Sequence, residues 1–258
     1  MATVVRISVA PVKGLGLVHP DEVMLERTGV AANRRFHIVD ADGRRYNQIR
    51  NGELVQIKPE YDAERDHLTL RFPDGYAVEG VVTRGAEVTT DFYGRNVEGH
   101  FVEGPWSEAI SSWVGRAVRL VQSPPGAAID RRGGHVSLVS RASLAELGRR
   151  GGTDPVDGRR FRMLFEIDGG HPHEEDEWVK KRVRIGDALV RIRGDVGRCA
   201  ITTQNPETGK PDFDTLRTIA GYRRVQDGNI PFGIYGEVVE PGRVAVGDSI
   251  GTAEGVEA

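Results

Sequence analysis

The chain has 258 residues, of which 38% are hydrophobic and 28% charged, and a formal net charge of −3. That length allows a substantial core in one large or two small domains, and the near-neutral charge excludes general nucleic-acid affinity as an expectation. One cysteine excludes an internal disulfide and suits a reducing compartment. The opening Met1-Ala2-Thr3-Val4-Val5 lacks a charged segment followed by an apolar one, so no signal peptide is read. No apolar run approaches membrane-spanning length. A cytoplasmic protein without a membrane partner is the expectation.

Abundant glycine (33) and proline (13) point to many short strands and turns. Val4–Val9 reads as a strand running into Pro11-Val12-Lys13-Gly14, where Lys13 projects from a constrained loop. Val23–Glu26 is a short strand, Thr28-Gly29-Val30 a turn, and Arg34–Asp40 a buried strand that opens with paired cations. Asp42-Gly43 is a hairpin signal. Strands are expected at Val55–Lys58, His67–Phe72, Ala77–Val82 and Phe92–Val102. Trp106, Ile110 and Trp113 fall at i, i+4 and i+7, the apolar face of a short helix. After a strand at Val118–Val121, Ser123-Pro124-Pro125-Gly126-Ala127-Ala128 reads as a linker. The expected domains are therefore 1–123 and 124–254.

In the second half, Val136–Val139 is a strand and Ser140 the N-cap of a helix that ends near Gly148–Gly152. Arg160–Ile167 reads as a strand with Arg162 near its start. The run from His171 to Trp178 holds two histidines and four carboxylates; with no further His or Cys close by, a solvated acidic loop is the plainer reading. Val183–Gly186 and Ala188–Arg193 form a hairpin through Gly186-Asp187, Leu216–Tyr222 a short amphipathic segment, and Pro231–Val239 and Pro241–Ile250 the last strands and turn.

The only cysteine, Cys199, lies in Gly194–Gly209, after an alternating run and before a turn cluster. Polar and glycine neighbours argue against a packing role, and adjacent Arg198 favours the thiolate, the form that attacks or binds metal. A lone cysteine is still commonly a small buried hydrophobe, and a Cys–His nucleophile pair with any of the seven histidines stays open. No dinucleotide fingerprint, Walker loop, His-Glu-x-x-His or Gly-x-Ser-x-Gly occurs. Lys13, Arg35, Arg132, Arg162 and Arg198 sit in glycine-rich turns. Guanidinium forks and loop amides of that kind suit a shared anionic ligand such as phosphate.

Several motifs carry a family resemblance. Phe161-Arg162, Glu174-Glu175-Asp176-Glu177-Trp178, Gly197-Arg198-Cys199-Ala200-Ile201-Thr202-Thr203, Asn205-Pro206-Glu207-Thr208-Gly209 and Phe232-Gly233-Ile234-Tyr235 resemble the MOSC domain. Pro11-Val12-Lys13-Gly14, Thr28-Gly29-Val30 and Arg34-Arg35-Phe36 resemble the β-barrel domain that precedes it in the mitochondrial amidoxime-reducing component family. The resemblance implies a mainly β fold: a barrel-like N-terminal domain and a C-terminal MOSC barrel with a few short helices. It implies a molybdenum–molybdopterin cofactor, with Cys199 as the protein thiolate on the metal, a soft donor for such a metal.

By the same resemblance Lys13, Arg35 and Arg162 contact the cofactor's phosphate and pterin, Arg198 and Tyr235 line the pocket, and Gly134 lies in a loop near the pterin. His171 and His173 are then not ligands. The family's Phe-Arg-Pro-Asn reads Phe161-Arg162-Met163-Leu164 here, so Leu164 replaces an asparagine that the resemblance puts in contact with the cofactor. The implied activity is reduction of N-hydroxylated substrates, such as amidoximes or hydroxylamines. Neither a membrane anchor nor a ferredoxin-like domain is read in the sequence, so electrons are expected from a separate flavin–haem or flavin–ferredoxin partner. A cofactor carrier without turnover, or a sulfur carrier with a Cys199 persulfide, are the alternatives.

Overall fold

A computed structural model describes residues 2–125, 129–153, 155–225 and 228–253. The chain begins with β1 (Ala2–Ile7) and β2 (Glu22–Leu25), both of which pair with strands from the far end of the sequence. The next elements are β3 (Phe36–Asp40), β4 (Arg45–Tyr46), β5 (Lys58–Asp62), β6 (His67–Arg71), β7 (Ala77–Val81), β8 (Thr83–Asp91), β9 (Asn96–Glu103), α1 (Trp106–Val114) and β10 (Val118–Gln122). They form a five-stranded sheet, β4-β3-β10-β9-β8, and a three-stranded one, β5-β6-β7. Between the sheets Phe36, Ile38, Leu68, Leu70 and Leu120 are buried together with Trp106 and Ile110 of α1. The helix thus buries the aromatic face its spacing predicts and stops where Gly115 turns left-handed.

Two expected elements differ. Val55–Lys58 is not a strand: Asn51 accepts a hydrogen bond from the Glu53 amide and starts a 3-10 turn over Gly52–Gln56, so β5 begins only at Lys58. Phe92–Val102 opens as a turn in which the Phe92 and Arg95 amides donate to each other's carbonyls, so β9 begins only at Asn96; β8 before it is an unexpected strand, lacking apolar alternation because most of its residues are exposed at the sheet edge.

The second half supplies β11 (Val136–Ser140), α2 (Arg141–Gly151), β12 (Phe165–Asp168), β13 (Arg182–Ile185), β14 (Ala188–Gly197), α3 (Thr215–Ala220), β15 (Pro231–Glu240), β16 (Gly242–Ala245) and β17 (Ser249–Thr252). Seven strands close into a barrel in the order β1-β12-β11-β15-β14-β13-β17. Closure removes free sheet edges and encloses Val4, Leu138, Phe165, Val190, Ile234 and Ile250. The expected division near residue 123 falls between β10 and β11, yet the barrel also takes β1 from the front of the chain, and β2 pairs with β16. The proposed linker is described as far as Pro125; Gly126, Ala127 and Ala128 lie outside the described residues.

The sequence expectation for Arg160–Ile167 needs correction. Asp157 accepts from the Arg159 amide at 2.9 Å and starts a 3-10 turn over Gly158–Phe161; Arg162 then adopts φ +53°, and the strand begins at Phe165. Ser140 caps α2 as expected, accepting from the Ser143 amide. The acidic run is not a solvated loop throughout. Glu175 is buried, and its carboxylate accepts from the hydroxyls of Ser140 and Ser143 at 2.9 and 2.7 Å, tying the start of α2 to the 3-10 turn Glu174–Trp178. Among the described residues no helix is long and apolar enough to cross a membrane.

Candidate functional site

Strand β14 ends at Gly197 and delivers Arg198 and Cys199 to one end of the barrel. Cys199 is an exposed free thiol with extended backbone, preceding the 3-10 turn Ala200–Thr203. The turn after it is held by Asn205, whose side-chain oxygen accepts from the Glu207 and Thr208 amides at 2.8 and 3.1 Å. Gly209, at φ +72°, brings this turn against Gly52, where a Cβ would collide with the opposite backbone. Gln204 and Gln48 exchange hydrogen bonds alongside. The Cys199 loop is thereby fastened to the first half of the chain, and a cavity of about 320 Å³ lies between the two halves.

That cavity brings together six of the seven residues singled out from the sequence: Lys13, Gly134, Arg162, Arg198, Cys199 and Tyr235. Lys13 comes from the loop after β1, where its amide donates to Phe36 at 2.8 Å, and its ammonium pairs with Asp130. Arg162 owes its direction to its left-handed backbone, and its guanidinium donates to the Leu15 carbonyl at 2.8 Å. Arg198 donates to the Phe161 carbonyl at 2.6 Å and lies over the Phe161 ring. Arg131 stacks on Tyr235, 4.8 Å from the ring centroid. A Cβ on Gly134 would run into the Arg131 side chain, so glycine there lets the arginine fold back.

Arg35 is the exception. Its guanidinium turns away from the pocket and donates to the Ser123 carbonyl, continuing the β3–β10 pairing. Its neighbour Arg34, at φ +55°, enters the pocket instead. Arg34 pairs with Asp130 and donates to Asn33 and to the Arg162 carbonyl, each at 3.0 Å. The same one-residue exchange occurs in the next loop, where Arg131 lines the pocket and Arg132 is exposed. Leu164 is also corrected: its side chain lies in the barrel core, and the pocket is lined by Met163. Asp130, Arg34 and His135 also line the pocket, beyond the residues that the sequence motifs single out. The paired cations at 34–35 were a signal for Arg34, whereas nothing local marked Asp130 or His135.

Five cationic side chains, Lys13, Arg34, Arg131, Arg162 and Arg198, thus surround one carboxylate among the described lining residues. Burial, with Arg34 nearby, pushes Arg162 down to about 9; burial, with Arg131 nearby, pushes Arg198 to about 9. Among the described residues the buried Nε of Arg198 and Nδ1 of His135 have no hydrogen-bond partner. An excess of half-buried cations, an unpartnered guanidinium nitrogen and an exposed soft thiol fit an anionic ligand that carries a thiophilic metal. His171 is exposed beside Glu174 and Glu177, and His173 packs on Phe232 and Tyr222.

Fold and site together define a two-part, mainly β protein with a cation-lined thiol pocket between its parts. Residues 1–119 match the MOSC N-terminal beta barrel domain and residues 130–251 the MOSC domain. The chain belongs to the MOSC-domain proteins. It is similar to the molybdenum cofactor sulfurase of Drosophila grimshawi, 30% identical over 257 residues that cover 89% of this chain and 31% of that protein. It is also similar to the molybdenum cofactor sulfurase of Oryza sativa subsp. japonica, 35% identical over 120 residues, 42% of this chain and 14% of that protein. The chain therefore spans at most about a third (31%) of the length of these curated relatives. Among solved structures, the YUAD protein from Bacillus subtilis aligns over 96% of this chain and 93% of its own, at 13% identity and a TM-score of 0.47.

Proposed function

We propose that this chain is a molybdenum-cofactor-dependent oxidoreductase that reduces N-hydroxylated compounds, amidoximes or hydroxylamines, with electrons from a separate protein. The observation that carries the reading is the exposed thiol of Cys199 in a pocket walled by five cations. When bound, molybdopterin-held molybdenum supplies the two-electron chemistry that takes up the oxygen of an N–OH group. The chain supplies the rest. Cys199 is the thiolate ligand. Lys13, Arg34, Arg162 and Arg198 hold the cofactor's phosphate and pterin, with Arg34 in the role first expected of Arg35. Arg131 and Tyr235, stacked on each other, and Gly134 form the wall beside them.

Reduction of an N–OH group consumes two electrons and two protons and releases water. His135 is an imidazole of this pocket with an unpartnered Nδ1, and burial lowers its pKa, so it is neutral at about pH 7 and suited to pass a proton. The chain holds one cysteine, whereas iron–sulfur clusters normally take four. In this reading a flavin–haem or flavin–ferredoxin type of partner is the electron source, in a cytoplasmic, reducing setting that keeps the thiol free. The test is to load the protein with molybdopterin cofactor, measure molybdenum, supply reduced viologen and follow benzamidoxime conversion to benzamidine. About one molybdenum per chain with turnover is expected. Full molybdenum with no reduction across a broad panel of N-hydroxylated compounds sinks the reading.

The similarity to molybdenum cofactor sulfurases over 89% of the chain favours a second reading. It is a cofactor-binding module without turnover, or a sulfur carrier in which Cys199 holds a persulfide. Mass spectrometry after incubation with a cysteine desulfurase and cysteine tests the persulfide: an added sulfur on Cys199, absent in Cys199→Ala, is what it requires.

A further inference from the structure

Asp130 stands in the β10–β11 connection, facing the pocket. Its two oxygens are divided between cations, Oδ1 on the Lys13 ammonium and Oδ2 on Arg34 Nε. Burial alone would raise its carboxyl pKa, but Lys13, Arg34 and Arg131 hold it well below the ordinary carboxylate range. Arg162 and Arg198, by contrast, make no ion pair among the described residues. The pocket's one carboxylate is thus placed on two of the cations that a ligand phosphate would use.

We propose that Asp130 is a built-in counter-anion that holds Lys13 and Arg34 and yields them to an incoming phosphate monoester, so that the pocket loads by exchanging one anion for another. This rests on the anion-binding reading above and deepens it. A phosphate that took both cations with Asp130 in place would set like charges side by side, which neither group tolerates well. The exchange needs only a side-chain rotation, because the backbone on either side is anchored. Ile129 packs with Phe92 and Val97, its carbonyl accepts from Arg95 at 2.9 Å, and Arg131 is stacked on Tyr235. Arg34 also stays aimed, since its terminal nitrogens remain on Asn33 and the Arg162 carbonyl whichever anion its Nε meets. Asp130 therefore keeps the cationic wall assembled before loading and weakens the pocket for small anions that cannot displace it.

Calorimetric titration of inorganic phosphate at about pH 8 into the cofactor-free full chain, Asp130→Asn and Asp130→Glu tests this. Asp130→Asn should bind phosphate about 10- to 100-fold more tightly than the parent. It should also show the larger phosphate-dependent rise in melting temperature, while Asp130→Glu behaves as the parent. Equal or weaker binding by Asp130→Asn overturns the exchange alone and leaves Asp130 a fixed strut of the pocket wall. Asp130→Asn protein that stays unfolded even in phosphate overturns it as well. No phosphate binding by any of the three proteins overturns the anion-pocket reading and the exchange with it.

Discussion

Arg34 and Arg35 are adjacent, yet the structure separates their roles, and replacing each by alanine should separate two measurable quantities. Arg34→Ala removes a pocket guanidinium that pairs with Asp130 and donates to Asn33 and Arg162. A charged hydrogen-bonding partner of this kind is worth about 1.5–3 kcal/mol, so cofactor affinity should fall by about one to two decades. Arg35→Ala leaves the pocket lining intact and strips a donor from the buried Ser123 carbonyl. Leaving a buried acceptor unsatisfied costs about 1–3 kcal/mol, and at about 2–4 °C per kcal/mol for a protein of this size the melting temperature should drop by roughly 2–12 °C. Molybdenum per folded chain at limiting cofactor, with thermal melts of the cofactor-free proteins, reads both. Full metal in Arg34→Ala, or metal loss in an Arg35→Ala protein of unchanged stability, would refute the reasoning and return the cofactor role to Arg35.

Cys199→Ala should abolish molybdenum retention yet leave the melting temperature of the cofactor-free protein nearly unchanged, because the side chain is exposed; full metal in the variant removes Cys199 as the ligand. Arg162→Lys should regain only part of the cofactor affinity lost in Arg162→Ala, since lysine keeps the charge without the planar fork; equal occupancy of both variants with the parent at limiting cofactor counts against the contact. His37 is buried between Ser123 and Thr90, and burial pushes its pKa from the ordinary 6.5 down to about 3. The unfolded chain therefore takes a proton that the folded chain refuses, so stability is full above about pH 6.5 and declines below it by up to about 1.4 kcal/mol per pH unit, until the pH approaches 3. Urea unfolding at about pH 7 and about pH 5 should show the gap between the parent and His37→Gln shrinking by roughly 2 kcal/mol at the lower pH; a pH-independent gap contradicts the burial argument.

Much of this protein is written locally. The aromatic face of α1, the Ser140 cap, the Asp42-Gly43 turn and the Gly186-Asp187 hairpin are read from spacing and turn chemistry, because hydrogen bonds within a few residues decide them. The exposed, unpacked state of Cys199 also follows from its glycine and polar neighbours. What only the tertiary structure decided is which of two adjacent side chains meets a distant partner. Arg34 rather than Arg35, Arg131 rather than Arg132 and Met163 rather than Leu164 enter the pocket. Left-handed backbone at Arg34 and Arg162 sets directions that strand periodicity does not contain. Asp130 meets Lys13 across more than a hundred residues of sequence because β1 crosses into the barrel, and no local pattern encodes that crossing.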